Sequence, residues 1–172
     1  MTGKYHSACA VTTGIAASAL YVLESGLTME TSIGAATIVI ASSVAGLMPD
    51  IDLPSSTVGK VFKPIARMIK KAFGHRTLTH SGLWLIPLLI LLFQTNWHPL
   101  LIGISIGFLS HIVSDTMTSG GIPWLYPLSK KRIRLTPIDS GRHDFVLTVL
   151  ASGLIISGLA LYYMLKHGLI AF

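Results

Sequence analysis

The chain has 172 residues, 51% of them hydrophobic and 12% charged, about half the charge of a soluble domain. A mean hydropathy of +0.67 argues against a water-soluble fold, and the lone Cys9 excludes an internal disulfide. The net charge of +6 would suit nucleic acid, so the placement of those charges has to identify the partner.

A hydrocarbon core of about 30 Å takes roughly 20 apolar helical residues to cross. Five segments meet or approach that length, which predicts an all-α, polytopic membrane bundle formed by one domain over residues 1–172. The first segment runs from about His6 to Leu23. Lys4 before it and the small residues from Ala17 to Ala19 imitate a signal peptide, but the later spans and a role for His6 favour an uncleaved chain. The second runs from about Thr31 to Met48. Next, Lys60 to Phe73 interleaves Val61, Phe62, Ile65, Ile69 and Phe73 with Lys60, Lys63, Arg67, Lys70 and Lys71, the pattern of an amphipathic helix lying on a leaflet. The third span is apolar only from Gly82 to Phe93 and reaches full length if its helix begins near Arg76 or Thr77, with a kink at Pro87. The fourth covers about Trp97 to Met117, with Gly103 and Gly107 four apart as in a GxxxG seam. Trp124 and Tyr126 follow as expected interfacial anchors. The fifth runs from about Phe145 to Leu165.

Five spans put the N-terminus and residues 49–75 and 118–144 on one side, and residues 24–30, 94–96 and the C-terminus on the other. The first side receives Lys4, Lys60, Lys63, Arg67, Lys70, Lys71, Arg76, Lys130, Lys131, Arg132, Arg134 and Arg142, the second only Lys166. This asymmetry predicts a cytoplasmic N-terminus and an outside C-terminus in a bacterial inner membrane. It also accounts for the basic balance through anionic phospholipid headgroups, with no need for nucleic acid.

The residues able to do chemistry gather at the cytoplasmic ends of the spans. His6 opens the first. Asp50 and Asp52 close the second, His75, Arg76 and His80 lead into the third, His111 and Asp115 occupy the last turns of the fourth, and His143 and Asp144 open the fifth. His111 and Asp115 share a helix face. Asp50 and Asp52 point the same way if their backbone is extended, and adjacent carboxylates repel unless a cation or proton lies between them. A charged group deep in a bilayer costs about 2.5–3.5 kcal/mol on the most lenient scale, so an idle Asp115 is not expected. Mixed imidazole and carboxylate donors suit zinc, manganese or iron(II) better than calcium, with zinc or manganese favoured. One or two such ions are expected, held by His6, Asp50, Asp52, His80, His111 and Asp115. A single His at a span end is ordinarily interfacial, and an isolated DxD can be a turn or cap. It is their convergence on one face that points to a metal centre. His98 and His167 fall on the opposite side.

At these residues the chain resembles the YdjM-type family of LexA-regulated inner-membrane metal-dependent hydrolases. The resemblance lies in His6, in Met48-Pro49-Asp50-Ile51-Asp52 with Pro54 and Ser55, in Lys63-Pro64-Ile65-Ala66-Arg67, in Phe73-Gly74-His75-Arg76 through Thr79-His80-Ser81, and in Leu109 through Asp115 leading to Trp124-Leu125-Tyr126-Pro127. It implies that Asp50, Asp52, His75, His80, His111 and Asp115 serve a hydrolytic metal site. Members usually carry a Glu before the last span, where this chain offers His143 or Asp144. At motif level the chain is also similar, more loosely, to zinc-dependent phospholipase C enzymes. The expected activity is therefore hydrolysis of a phosphoester or related bond in a lipid or membrane-bound substrate. His75 and Asp144 are the candidate proton carriers. Arg76, with Lys130, Lys131, Arg132 and Arg134, is the candidate phosphate partner. A metal-stapled module that localises a partner is the alternative, and metal transport a weaker third reading, since the opposite side lacks a matching His/Asp cluster.

Overall fold

Among the described residues, four helices are long and apolar enough to cross a membrane: Gly3–Ser25, Met29–Asp52, Pro99–Thr116 and Asp144–Lys166. The computed structural model describes residues 3–139, 141 and 143–169. Arg142, counted above among the basic residues, lies outside them. In chain order the α-helices are α1 (Gly3–Ser25), α2 (Met29–Ala45), α3 (Thr57–Val61), α4 (Lys63–Phe73), α5 (Leu85–Gln94), α6 (Pro99–Thr116) and α7 (Asp144–Lys166). Among the described residues the isolated pairing Ile122–Ile133 is the extended element, and the fold is all-helical.

Helix starts follow local chemistry. Thr28 and Thr31 cap α2 reciprocally through side chain and backbone, satisfying donors that a helix start leaves open. His98 caps α6 by accepting from Leu100 N, and Pro99 takes the first helical position, where its missing N–H costs nothing.

Small residues set the packing. A Cβ on Gly103 would lie 2.6 Å from the Ile38 carbonyl oxygen, and one on Gly107 would strike the backbone of Ser42. The two glycines thus let α6 pack backbone to backbone on α2, the seam the spacing implies. Ser42 Oγ donates to the Ala10 carbonyl at 2.9 Å, tying α2 to α1. Cys9, Val113, Met117, Leu147, Ala151 and Ile155 form the apolar cluster joining α1, α6 and α7.

The third segment corrects the sequence-based expectation. No helix begins at Arg76 or Thr77. Gly74 and Arg76 have φ of +83° and +57°, outside the right-handed helical region, and Leu78–His80 and Gly82–Trp84 are single 3-10 turns. The apolar segment Gly82–Gln94 therefore stays short of the other four. Nor does Pro87 interrupt it: Pro87 is the third residue of α5, in the first turn, where a proline is tolerated. The amphipathic segment is likewise divided. Phe62, before Lys63-Pro64, leaves helical geometry and separates α3 from α4, because Pro64 has no N–H for the Lys60 carbonyl and its ring would clash there in a continuous helix. Phe62, Ile65, Met68 and Phe73 remain exposed while Ala66 is buried, so the unit keeps an apolar outer surface beside its basic residues.

Candidate metal centre

Each of four elements brings its polar residues to one end of the bundle. The fourth residue of α1 is His6. Past α2, the 3-10 turn Met48–Asp52 carries Asp50 and Asp52. The loop from Gly74 to Ser81 carries His75, Arg76 and His80, and the end of α6 carries His111 and Asp115. His6, Asp52, His80, His111 and Asp115 are fully buried, and Asp50 nearly so. Two groups among the described residues have ligand-type atoms all within 4.8 Å of one another: Asp50, Asp52, His75 and His80, and His6, His111 and Asp115.

The two groups meet at His80. Its Nε2 lies 3.2 Å from His111 Nε2, 3.4 Å from Asp115 Oδ2 and 3.6 Å from Asp50 Oδ1. His111 Nε2 in turn lies 3.6 Å from Asp115 Oδ2 and 3.8 Å from Asp50 Oδ1. The outer nitrogens are committed elsewhere. His111 Nδ1–H donates to the Gly46 carbonyl at 2.8 Å. His80 Nδ1 lies 2.9 Å from Thr79 Oγ1, whose own hydroxyl donates to Asp52 Oδ2 at 2.8 Å, so Nδ1–H is the donor. These bonds aim both Nε2 lone pairs inward, the arrangement in which a second partner fixes the tautomer of a metal-ligating histidine.

Two imidazole nitrogens on one tetrahedral zinc ion would lie roughly 3.3 Å apart, close to the spacing seen. His6 stacks on His111 with centroids 3.8 Å apart and planes 11° apart. Buried as it is, neither His6 nitrogen makes a hydrogen bond among the described residues, and Nε2 stands 3.4 Å from Asp115 Oδ1. An orphaned buried imidazole is costly unless a ligand completes it. The donor set fits a divalent cation.

His80 carries the electrostatic signature. Burial alone would lower its pKa, but Asp50, Asp52 and Asp115 outweigh that and push it up to about 9. The surrounding carboxylates demand a positive charge at this position, whether a proton or an ion.

Asp50-x-Asp52 is not extended but lies in a 3-10 turn, and its two carboxylates take different partners although both stay within one group. In a 3-10 turn, residues two apart diverge around the axis. Asp50 faces His80 and His111. Asp52 turns to the loop and accepts from His75 Nδ1–H at 2.7 Å, Arg76 N–H at 3.0 Å and the Thr79 hydroxyl. Arg76 then spans the site, donating from Nη2 to Asp115 Oδ1 at 2.9 Å. His75 and Arg76 retain partial exposure, 29% and 17% of their side chains, and form the outer rim.

Asp144 is buried in the first turn of α7 and accepts from Gly141 N–H at 2.7 Å. Neither it nor the exposed His143 belongs to the two groups. Arg132 lies near the rim, donating to the Gly121 carbonyl, while Lys130, Lys131 and Arg134 are exposed. Trp124 is turned inward, donating to Thr116 Oγ1 at 2.8 Å. Its carbonyl and that of Tyr126 accept from Ser81 Oγ, so this stretch braces the His80 loop. Sequence reasoning gave no role to Thr79, to Thr118, which accepts from Arg76 Nη1 at 3.4 Å, or to the Gly46 carbonyl. The two threonines left a signal, since both lie in the stretches that carry the family resemblance. At the opposite end, Glu24 pairs with Lys166 at 2.6 Å and His167 at 2.8 Å.

Comparison with known proteins identifies the family. The chain is 31% identical to "Uncharacterized protein YvsG" of Bacillus subtilis over 98% of both chains. It is 40% identical to "Inner membrane protein YdjM" of Escherichia coli over 96 residues, covering 52% of this chain and 49% of that one. No solved structure matches. The family described as YdjM inner membrane protein matches residues 1–170, and with four helices fit to cross a membrane and a His/Asp cluster compatible with metal binding, the chain belongs to that family.

Proposed function

We propose that this multi-pass protein holds one or two divalent cations, zinc or manganese, and hydrolyses a phosphoester or related bond of a membrane lipid at the cytoplasmic face. The observation that carries the proposal is the inward aim of the His80 and His111 Nε2 atoms among Asp50, Asp115 and the orphaned His6. His80, His111, Asp50 and Asp115 would hold the ion at the junction of the two groups, with His6 completing its side. Asp52, already occupied by three hydrogen bonds, positions His75, Arg76 and the His80 loop. A bound cation supplies Lewis acidity and lowers the pKa of water toward about 7.

The residues of the rim do the rest. Of the two proton carriers expected, His75 has the better geometry. Its Nδ1–H is fixed on Asp52, which leaves Nε2 able to accept a proton, and the ring reaches solvent. Arg76 lies beside Asp115 and near Gly120, positioned to neutralise a phosphate at the mouth, with Arg132 one residue away along the rim. The α4 surface offers apolar and basic side chains to the same leaflet. Twelve of the thirteen Lys and Arg residues fall on the N-terminal side, which supports a cytoplasmic N-terminus and an outside C-terminus. The test is purified protein against a panel of bacterial phospholipids with manganese or zinc. Release of headgroup or phosphate by the wild type and not by Asp50→Ala supports the proposal, and identical behaviour ends it.

A non-catalytic reading draws on the burial of the centre, since a cation there would staple four elements together and its binding energy would be folding energy. Chelation that drops the melting midpoint sharply, in a protein inert toward every lipid tested, favours that reading.

A further inference from the structure

At the end of the bundle away from the metal centre, α5 and α7 stand apart. Between them and α1 and α6 lies a cavity of about 530 Å³. Its walls are apolar, with Leu88 of α5, Ile106 of α6 and Leu159 of α7 facing inward, and its floor is Leu85 with Leu109. Along α1 the lining runs from Ala17 to Ser25, about 12 Å at 1.5 Å per residue. Half of a 30 Å hydrocarbon core is roughly 15 Å, so the slot reaches through most of one leaflet.

Two features distinguish it from a plain packing gap. The mouth is polar, with Trp97, Glu24 and Lys166. Lys166 gives one bond to Glu24 and keeps 46% of its side chain exposed, which leaves ammonium donors for a phosphate. In the wall, Ser105 Oγ is buried and makes no hydrogen bond among the described residues, where an acceptor brought in by a ligand would satisfy it.

We propose that this slot binds a phospholipid from the leaflet at the Glu24 end, one acyl chain running down to Leu109 and the phosphate on Lys166. A depth of most of one leaflet, apolar walls and a mouth that carries an ammonium group beside an aromatic ring match such a lipid part by part. The site is separate from the metal centre and does not depend on catalysis.

The experiment uses the full chain in nanodiscs of phosphatidylethanolamine and phosphatidylglycerol, doped with a phospholipid carrying a diazirine midway along one chain. After irradiation, adducts are mapped by peptide mass spectrometry. They should concentrate on Leu88 and Ile106 and outnumber those on Ile33 and Ile40, which are exposed on α2. Lys166→Ala should cut slot labelling about fivefold, the effect of one basic residue on an anionic headgroup, and Ser105→Phe should abolish it by filling the slot. Even labelling of all exposed apolar residues, or slot labelling unchanged in Lys166→Ala, overturns the proposal. Should Ser105→Phe fail to fold, the Lys166 variant decides, because its side chain is at the surface.

Discussion

The Nε2 atoms of His80 and His111 face each other across 3.2 Å, each ring pinned by its other nitrogen. Two lone pairs so placed repel unless a proton or an ion lies between them. His80→Ala should therefore remove bound metal, weakening zinc affinity by more than about 100-fold, beyond the range usual for outer-shell changes. His98→Ala, at the opposite end of α6, should leave it intact. Elemental analysis of the purified variants checks both.

Asp52 acts through its neighbours. Asp52→Asn keeps the shape but weakens the bonds to His75, Arg76 and Thr79. Metal should still bind, about 10–100-fold more weakly, as measured by competition with a chelating dye. Full loss of metal would make Asp52 a direct ligand.

The charge demand at His80 gives a pH signature. Its pKa rises from 6.5 in the unfolded chain to about 9 in the folded one. The protonated form thus stabilises the metal-free fold fully below pH 6.5, and that stability is lost as pH rises through 9. With EDTA the melting midpoint should fall across this window. With zinc, which replaces the proton, it should hold, and zinc affinity should climb with pH. Parallel melting curves from pH 6 to 9.5 test this.

Arg76 and Asp115 form a largely buried pair. Arg76→Ala should destabilise the metal-free protein by about 3 kcal/mol, the usual cost of breaking such a pair from one side. Added zinc should recover part of that loss by restoring positive charge beside Asp115. Thermal melting with and without zinc measures it.

Much of this arrangement was legible before the structure. His6, Asp50, His80, His111 and Asp115 could be assigned to one end because each sits at the terminus of an apolar run, and the Gly103–Gly107 spacing announced its own seam. The loop from Gly74 to Ser81 could not be read. Its apolar continuation suggested a longer helix, whereas the hydrogen bond that Arg76 N–H donates to Asp52 holds Arg76 at a positive φ that no periodicity reveals. The divergence of Asp50 from Asp52 was hidden for the same reason, since a 3-10 turn and an extended pair look alike in a five-residue stretch.

Gly107 links packing to chemistry. It rests on Ser42 one turn ahead of His111, so Gly107→Val must push α6 off α2. A cost of about 1–3 kcal/mol is expected, with a drop in metal content as His111 leaves the Gly46 carbonyl. Normal metal content in a destabilised Gly107→Val protein would show that the centre tolerates helix displacement.

The shortness of the segment Gly82–Gln94 reaches beyond the protein. With one 3-10 turn and ten α-helical residues it extends about 21 Å, well short of a 30 Å hydrocarbon core. Lipids alongside it must compress their chains to match, since a bilayer thins around a segment too short for it. Thinning there would fall beside the loop that carries His75 and Arg76 and would draw the ester and phosphate groups of neighbouring lipids toward the rim. If the proposed lipid hydrolysis holds, the bond to be cleaved would then lie near the depth of the histidines, and no lipid would have to be lifted out of the leaflet to be reached.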